Sequence, residues 1–559
     1  MLTVILSLIY ILIITYGVGL LISKSLVKIG AFDLKFSSIV VVGIVTITVG
    51  VEYISIVGKI GILAHVLLIL VASFGYFSSR KVIPYVLDGV KKVIFSWEGF
   101  FYLGFVLLIA FYASRGMFHT DTNIYHAQNI RIYEEYGLIR GMGNLQLHYG
   151  YNSAYLAFAS IFSMGWLFGE HPLHTTTAFL EAFAGIYSFY GLKRFMKHGS
   201  HIGDAAKVAI LFYILIIITG SMSPATDYGT MLMSLILISL WCDEMEGQRR
   251  AYVYGLLAVF AVFTVTMKFS ACLLVLIAIY PAILLIKSKD IKGIIVFLSL
   301  GIVVLVPFLI RNYLISGWLL YPADFIDIFD VAWKVPKEYL EVDAAQIKVW
   351  GRCLYDVSLL DMSVKEWFPI WFEHQDRYEM MLILGILAGG AFSLVYSLRY
   401  LLQKKCFRFE FITVLIAIIA NIVVWFLTAP FIRYGLAFIL PIILLPLGCY
   451  ISEEKKGLFA IISGMMTFAC IACLTPYFDN YIKDAGTTMK QTVADPYYLI
   501  QKPYDDVKTG KVEMNGETIY YCDERETNSY FYCPNTCYQF MLERSELMGE
   551  EIKSGFQPK

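Results

Sequence analysis

Residues 118–137 read FHTDTNIYHAQNIRIYEEYG and follow directly on an apolar run that ends near Ala113. An aspartate, two histidines and a Glu-Glu pair in that place must face one side of some boundary. Composition makes that boundary a membrane. Of 559 residues, 58% are hydrophobic and only 16% charged, whereas soluble domains carry about 25% charged residues. The mean hydropathy is +0.67. Apolar runs of roughly 18 residues or more recur along the chain, the length a helix needs to cross a bilayer. The formal net charge is +0, so no basic field points to nucleic acid. Aromatics make up 16%, and many are expected at the membrane–water interface.

The first run, residues 1–21, has no basic leader and no small-residue cleavage site, and is expected to be a retained helix. There is no Walker A loop, no GxGxxG and no HExxH; Gly141 and Gly143 in GMGNLQ lack the third glycine of a dinucleotide loop.

Basic residues in short loops mark the cytoplasmic side. Seven clusters qualify: Lys24/Lys28/Lys35, Arg80/Lys81/Lys91/Lys92, Lys193/Arg194/Lys197, Arg249/Arg250, Lys287/Lys289/Lys292, Arg399/Lys404/Lys405/Arg408 and Lys455/Lys456. Placing all of them inside pairs the apolar runs between them into about fourteen crossings, with both termini outside. The expected spans are about 3–23, 36–57, 60–78, 98–114, 175–192, 205–220, 229–243, 251–267, 270–286, 293–310, 379–398, 410–428, 434–451 and 457–475. The left-over apolar stretch, residues 151–168, would invert the later loops if it crossed. It is therefore expected as a juxtamembrane or re-entrant helix on the outer face. The chain then divides into N-terminal spans (1–114), an extracytoplasmic loop with juxtamembrane helices (115–174), central spans (175–310), a second large outer loop (311–378), C-terminal spans (379–475) and an outer tail (476–559). The inner loops are short and basic, so the polar complexity lies outside.

Asp121 opens an amphipathic pattern, with Ile124, Ala127, Ile130 and Tyr133/Tyr136 near one face and Arg131 and Glu134/Glu135 on another, as for a helix lying on the membrane. Asp121 is its natural N-cap, and Tyr125 lies one turn on. Lys268 interrupts an apolar region at a tight break, MKFS, where a charge is costly and functional or else snorkels. Arg433, in the outer turn TAPFIRYG, runs against the orientation rule and suits an anionic ligand such as phosphate; contact with ordinary lipid phosphate is the alternative. Ser223, Pro224 and Asp227 form a polar outer turn, also readable as a plain turn. Arg311 and Tyr313 begin the second outer loop and suit interfacial anchoring. The outer histidines His119, His126, His148, His171 and His174 raise a metal site, but only HPLH has helix-like spacing and Pro172 spoils it. Trp318, Trp333, Trp350, Trp367 and Trp371 could stack on sugars or serve as belt residues. Of the ten cysteines, most lie in apolar runs; Cys522, Cys533 and Cys537 cluster in the tail, where an oxidising compartment favours a disulfide over a zinc half-site.

A carboxylate on amphipathic helices in the first large outer loop resembles the GT-C glycosyltransferase superfamily, polytopic enzymes that use polyprenyl-phosphate-linked sugars. The stretches DTNIYHAQNIRIYEEYG, GMGNLQLHYGYNSAY, SPATDY, the Lys268-Phe269-Ser270 break, IRNYLISGWLLYP and TAPFIRYG also resemble a bacterial subgroup of polytopic surface-polysaccharide type and span most of residues 115–435. Where many members begin the loop with D-E-x-x-Y, this chain has Asp121-Thr122-Asn123-Ile124-Tyr125, which lacks the second acidic residue. The resemblance implies an all-α polytopic fold, with Asp121 as general base and His126 and Tyr125 orienting it or the acceptor. It further implies Lys268, Arg433 and Arg311 on the lipid phosphate, and Asp227, Asn152 and Tyr434 lining the substrate site. No cofactor is expected; a divalent metal is not indicated, and metal dependence stays open. Its partners are the bilayer, the lipid-linked donor and a glycan acceptor, at the plasma membrane with the active face outside. A repeat-unit polymerase or ligase, and a flippase or transporter, are the competing readings; the latter needs charges at midplane depth, which are few.

Overall fold

The computed structural model describes residues 1–31, 35–169, 172–198, 202–247, 250–402, 409–454, 497–504, 509–522 and 542–559. Runs with few ionisable side chains become helices because a bilayer leaves backbone amides no other partners. The first third forms α1 (Leu2–Lys28), α2 (Phe36–Val57), α3 (Ile62–Ser78), α4 (Ile83–Ile94) and α5 (Trp97–Arg115). The first large loop carries α6 (Ala127–Glu135), α7 (Met142–Leu145), α8 (Ala154–Ser163) and α9 (Gly165–Phe168). The central helices are α10 (Thr176–His198), α11 (Ile202–Ile217), α12 (Thr226–Met245), α13 (Ala251–Met267), α14 (Ile279–Lys287) and α15 (Ile291–Ser316). The second loop holds α16 (Lys337–Gly351) and α17 (Val364–Glu373); α18 (Arg377–Leu402), α19 (Phe409–Thr428) and α20 (Ile432–Glu454) follow.

Among the described residues, eight helices are long and apolar enough to cross a membrane, nine if α3 and α4, which meet at 98°, count as one bent span. The expected span at 457–475 lies outside the described residues. Residues 151–168, expected as a re-entrant or juxtamembrane helix, fold as the short α8 and α9, broken at Met164 with φ 52°. Every residue of α8 is buried.

Helices α1, α2 and α3 approach closely through small residues, the membrane counterpart of core packing. A Cβ on Gly43 would sit 1.8 Å from the Thr15 carbonyl oxygen, and one on Gly75 1.9 Å from that of Gly17. Neither obstacle is a flexible side chain. Gly43→Ala is therefore expected to push α1 and α2 apart and to cost about 3 kcal/mol, read as a fall in the melting temperature of purified protein. An unchanged melting temperature would show that this packing is not tight.

The amphipathic stretch after Asp121 is not a surface helix. Residues Thr122–His126 form a wide turn that leads into α6, a feature frequent at functional sites. Both faces are covered: Gln128, Asn129, Ile130, Tyr133 and Glu134 are all buried. Glu134, expected on the wet face, instead accepts the Gly165 amide at 2.7 Å, and burial raises its carboxyl to about 7. The segment is a seam between α2 and α8, so its polar residues serve the interior.

The tail departs from the all-helical expectation. Strands β1 (Thr509–Met514) and β2 (Glu517–Cys522) pair antiparallel around Asn515-Gly516, both at positive φ, the sequence such a two-residue turn requires. Strands β3 (Ser545–Leu547) and β4 (Phe556–Pro558) also pair antiparallel. The Phe556 amide donates to the Arg140 carbonyl at 2.9 Å, anchoring the end of the chain on the first loop. Cys533 and Cys537 lie outside the described residues.

Candidate functional site

Four separate segments bring charge to one end of the bundle. The loop after α5 contributes His119 and Asp121, the first turn of α12 contributes Asp227, the break after α13 contributes Lys268, and the start of α20 contributes Arg433 and Tyr434. Lys268 has extended backbone (φ −164°, ψ 139°), which ends α13 and turns its side chain toward α12. Lys268 pairs with Asp227, and its ammonium lies 4.0 Å from the centre of the Tyr434 ring. The Arg433 guanidinium reaches Asp121 at 3.4 Å, Asp227 at 3.6 Å, the Tyr434 hydroxyl at 3.2 Å and His119 Nε2 at 2.6 Å. Two carboxylates thus meet two cations, and the cluster is neutral overall.

Exposure divides the roles. The Asp227 side chain is 2% exposed, whereas Asp121 is 22% and Arg433 37% exposed. Asp227 is the buried hub that holds both cations in place; Asp121 and Arg433 are open to a ligand. Although Asp121 stands at the start of the wide turn, its side chain caps no helix amide. Its carboxylate faces Arg433 instead, so the plain-cap reading fails.

His119 is the residue that sequence reasoning set aside, and it sits at the centre. Its amide donates to Ser223 Oγ at 2.5 Å, and Thr177 Oγ1 donates to the Ser223 carbonyl at 2.6 Å, fixing the loop on α10 and α12. Both imidazole nitrogens face donors: Nε2 meets Arg433 and Nδ1 meets the Asp121 amide at 3.1 Å. The neutral ring accepts at one of the two, and a second ring proton would remove that contact. Burial lowers the His119 pKa, the nearby Arg433 adds to the effect, and Asp121 opposes it. The signal available in the sequence was the HTD triplet, two residues upstream of Asp121.

Tyr125 and His126 are buried behind Asp121. His126 Nδ1 bonds Thr122 Oγ1 at 3.2 Å, so it braces the wide turn and does not hold Asp121. The Tyr125 ring stacks on His148, centroids 5.4 Å apart, and His148 stacks on Tyr151. Tyr151 donates to the buried Asp343 of α16, and this contact draws the second large loop against the first.

Arg311 and Asn152 do not join the cluster. The Arg311 side chain is fully buried, with Nε donating to Asn152 Oδ1 at 3.0 Å. It also bonds Ser55 Oγ, lies 3.9 Å from Glu52 and stacks over Tyr133 at 4.6 Å. Reaching a ligand would pull Arg311 away from these buried partners. Arg311 instead ties α15 to α2, and Asn152 ties the first loop to α15 through Arg311 and the Phe308 carbonyl. The tryptophans are corrected likewise: Trp318, Trp367 and Trp371 are buried. Trp371 donates to the Pro430 carbonyl at 3.1 Å and Trp425 to that of Phe431 at 2.6 Å, so indoles position the turn that presents Arg433.

His119, Asp121 and Asp227 bring possible ligand atoms within 4.8 Å of one another, so Asp227 provides in space the second carboxylate that the residue after Asp121 does not. A divalent cation would bind there through these three. Lys268 and Arg433 already occupy the same carboxylates, and a dication would leave the pocket strongly positive. The donor set fits a metal, but its charge balance does not. His171 lies outside the described residues.

The tail braces the same loop. Gln501 accepts from the His174 amide at 2.7 Å and donates to the His174 and Ala113 carbonyls. Tyr504 stacks on Phe118 with centroids 4.3 Å apart and meets His174 Nε2 at 3.2 Å. Burial lowers the His174 pKa to about 3. The unfolded chain, at about 6.5, therefore binds this proton more readily than the folded one. The contribution to stability is full above pH 6.5 and is lost as pH falls toward 3, amounting to about 2 kcal/mol by pH 5. Purified protein should lose melting temperature between pH 7 and pH 5, and His174→Gln should shrink that loss. An equal loss in both proteins would remove His174 from the acid response.

No curated protein and no solved structure matches the chain. A family model described as a domain of unknown function, DUF8201, matches residues 1–440, a stretch that includes the whole charged cluster from His119 to Tyr434. The chain therefore belongs to the DUF8201 family.

Proposed function

We propose that this protein is a membrane-embedded glycosyltransferase of GT-C type. It would move a sugar from a polyprenyl-phosphate donor to an extracytoplasmic acceptor in cell-surface glycan assembly. One observation carries this reading: a half-exposed Arg433, with Lys268 beside it, stands ready for an anion next to a carboxylate, Asp121, that no helix uses as a cap. Asp121 accepts the proton of the acceptor hydroxyl. The hydroxyl oxygen attacks the anomeric carbon, and the bond from that carbon to the phosphate oxygen breaks with inversion. The lipid phosphate leaves with the electron pair, neutralised by Arg433 and Lys268, so it requires positive charge more than a general acid. Asp227 keeps both cations aimed, and Tyr434 bridges them. The reading places the cluster on the outer face of the plasma membrane, with about fourteen crossings by the charge rule.

The test is sugar transfer by purified, lipid-reconstituted protein offered a panel of polyprenyl-phosphate sugars and an acceptor extract, with released polyprenyl phosphate as the readout. Release is expected, and chelation with EDTA should leave the rate within about twofold, because Lys268 and Arg433 supply the charge a metal would bring. Absence of release across the panel would defeat the glycosyltransferase reading. Loss on chelation, restored by added cation, would put a metal on His119, Asp121 and Asp227.

A further inference from the structure

The end of the bundle opposite the charged cluster carries a second feature. Helix α3 starts beside the first large loop, where the Ile60 amide donates to the Tyr133 carbonyl at 2.9 Å. It runs to the far end, meets Lys24 of α1 at Ser78, and turns by 98° into α4. Helix α5 then starts there and returns to the loop. Helix α4 thus lies across the bundle axis, and none of its residues is buried.

Its sequence, IPYVLDGVKKVI, divides cleanly at 100° per residue. Ile83, Val86, Leu87, Val90, Val93 and Ile94 share one arc, while Asp88, Gly89, Lys91 and Lys92 occupy the other. The apolar arc is largely open: Leu87 is 53% and Ile94 56% exposed, while Ile83 and Val86 are partly buried. Exposed Phe95 and Trp97 follow it, the aromatic types that settle at a bilayer interface. Arg80 and Lys81 stand exposed in the turn before it, and Lys91 and Lys92 at its end. Within α4, Asp88 pairs with Lys92 at 2.7 Å, and Glu98 follows in the first turn of α5.

We propose that α4 lies in the plane of the leaflet opposite the site and that Arg80, Lys81, Lys91 and Lys92 bind the headgroups of anionic phospholipids. A largely open apolar arc flanked by basic side chains fits a lipid surface, and cations at the headgroup level select negative charge. This inference stands apart from the catalytic reading.

The test uses the full chain in phosphatidylcholine vesicles that contain equal traces of two diazirine lipids, one phosphatidylglycerol and one phosphatidylcholine, with identical acyl chains. After photolysis, mass spectrometry maps the adducts. Residues 83–94 should favour the phosphatidylglycerol probe by about fivefold or more. The R80Q/K81Q/K91Q/K92Q variant should bring that ratio close to one, while labelling of α5 stays as in the wild type. No buried contact is touched, so the variant should fold. A wild-type ratio near one, or a ratio unchanged in the variant, would overturn anionic-lipid binding. An unlabelled α4 beside a labelled α5 would also overturn it, and would point to a protein partner on that face.

Discussion

Asp121→Asn is expected to yield a folded, inserted protein whose kcat for sugar transfer is lower by about 10³. The substitution keeps the shape and removes the proton acceptor. Arg433 would retain His119, Asp227 and Tyr434, so the anion site should stand and the donor KM should change little. No helix cap is lost, because the Asp121 side chain accepts no helix amide. A cap would give the opposite signature, a stability loss of about 1 kcal/mol with activity retained. Transfer within about tenfold of wild type would end the role of Asp121 as base.

Arg433→Ala should lower kcat/KM for the donor by about 10²–10³, with a large share in KM, since in the proposed mechanism the guanidinium meets phosphate both before and during departure. Arg433→Lys should fall between the two, because it returns a point charge without the fork. Asp227 would keep Lys268 in either variant, so the protein should remain assembled. Unchanged donor kinetics in the alanine variant would remove Arg433 from the anion site. A much greater loss for Arg433→Ala than for Asp121→Asn would favour a polymerase- or ligase-like mechanism, which leans on arginine and less on a carboxylate.

Several parts of the site were legible along the chain. Lys268 and Arg433 break a strong local rule: charge is costly where apolar segments meet, and basic residues are disfavoured in short outer turns. Arg311, at a helix end before a long loop, was grouped with them through the family resemblance, yet it turns inward to Asn152, Ser55 and Tyr133. Local reasoning also passed over His119, whose context is that of any loop histidine. In the amphipathic stretch, periodicity grouped Ile130 and Tyr133 on a face expected to meet the membrane and took Glu134 for a wet one, whereas all three are buried in the protein. A helix covered on both sides has the same period as one covered on a single side.

Hydropathy along the chain marks a membrane protein built from apolar helices, and the polar stretches that interrupt them, because the cost of placing charge in hydrocarbon acts residue by residue. Which charges meet is a matter of packing. Arg433 and Asp121 are 312 residues apart in the chain, and Lys268 and Asp227 are 41 apart. Their encounter depends on how α12, α13 and α20 pack at one end of the bundle, a property of interhelical contacts that no local pattern encodes.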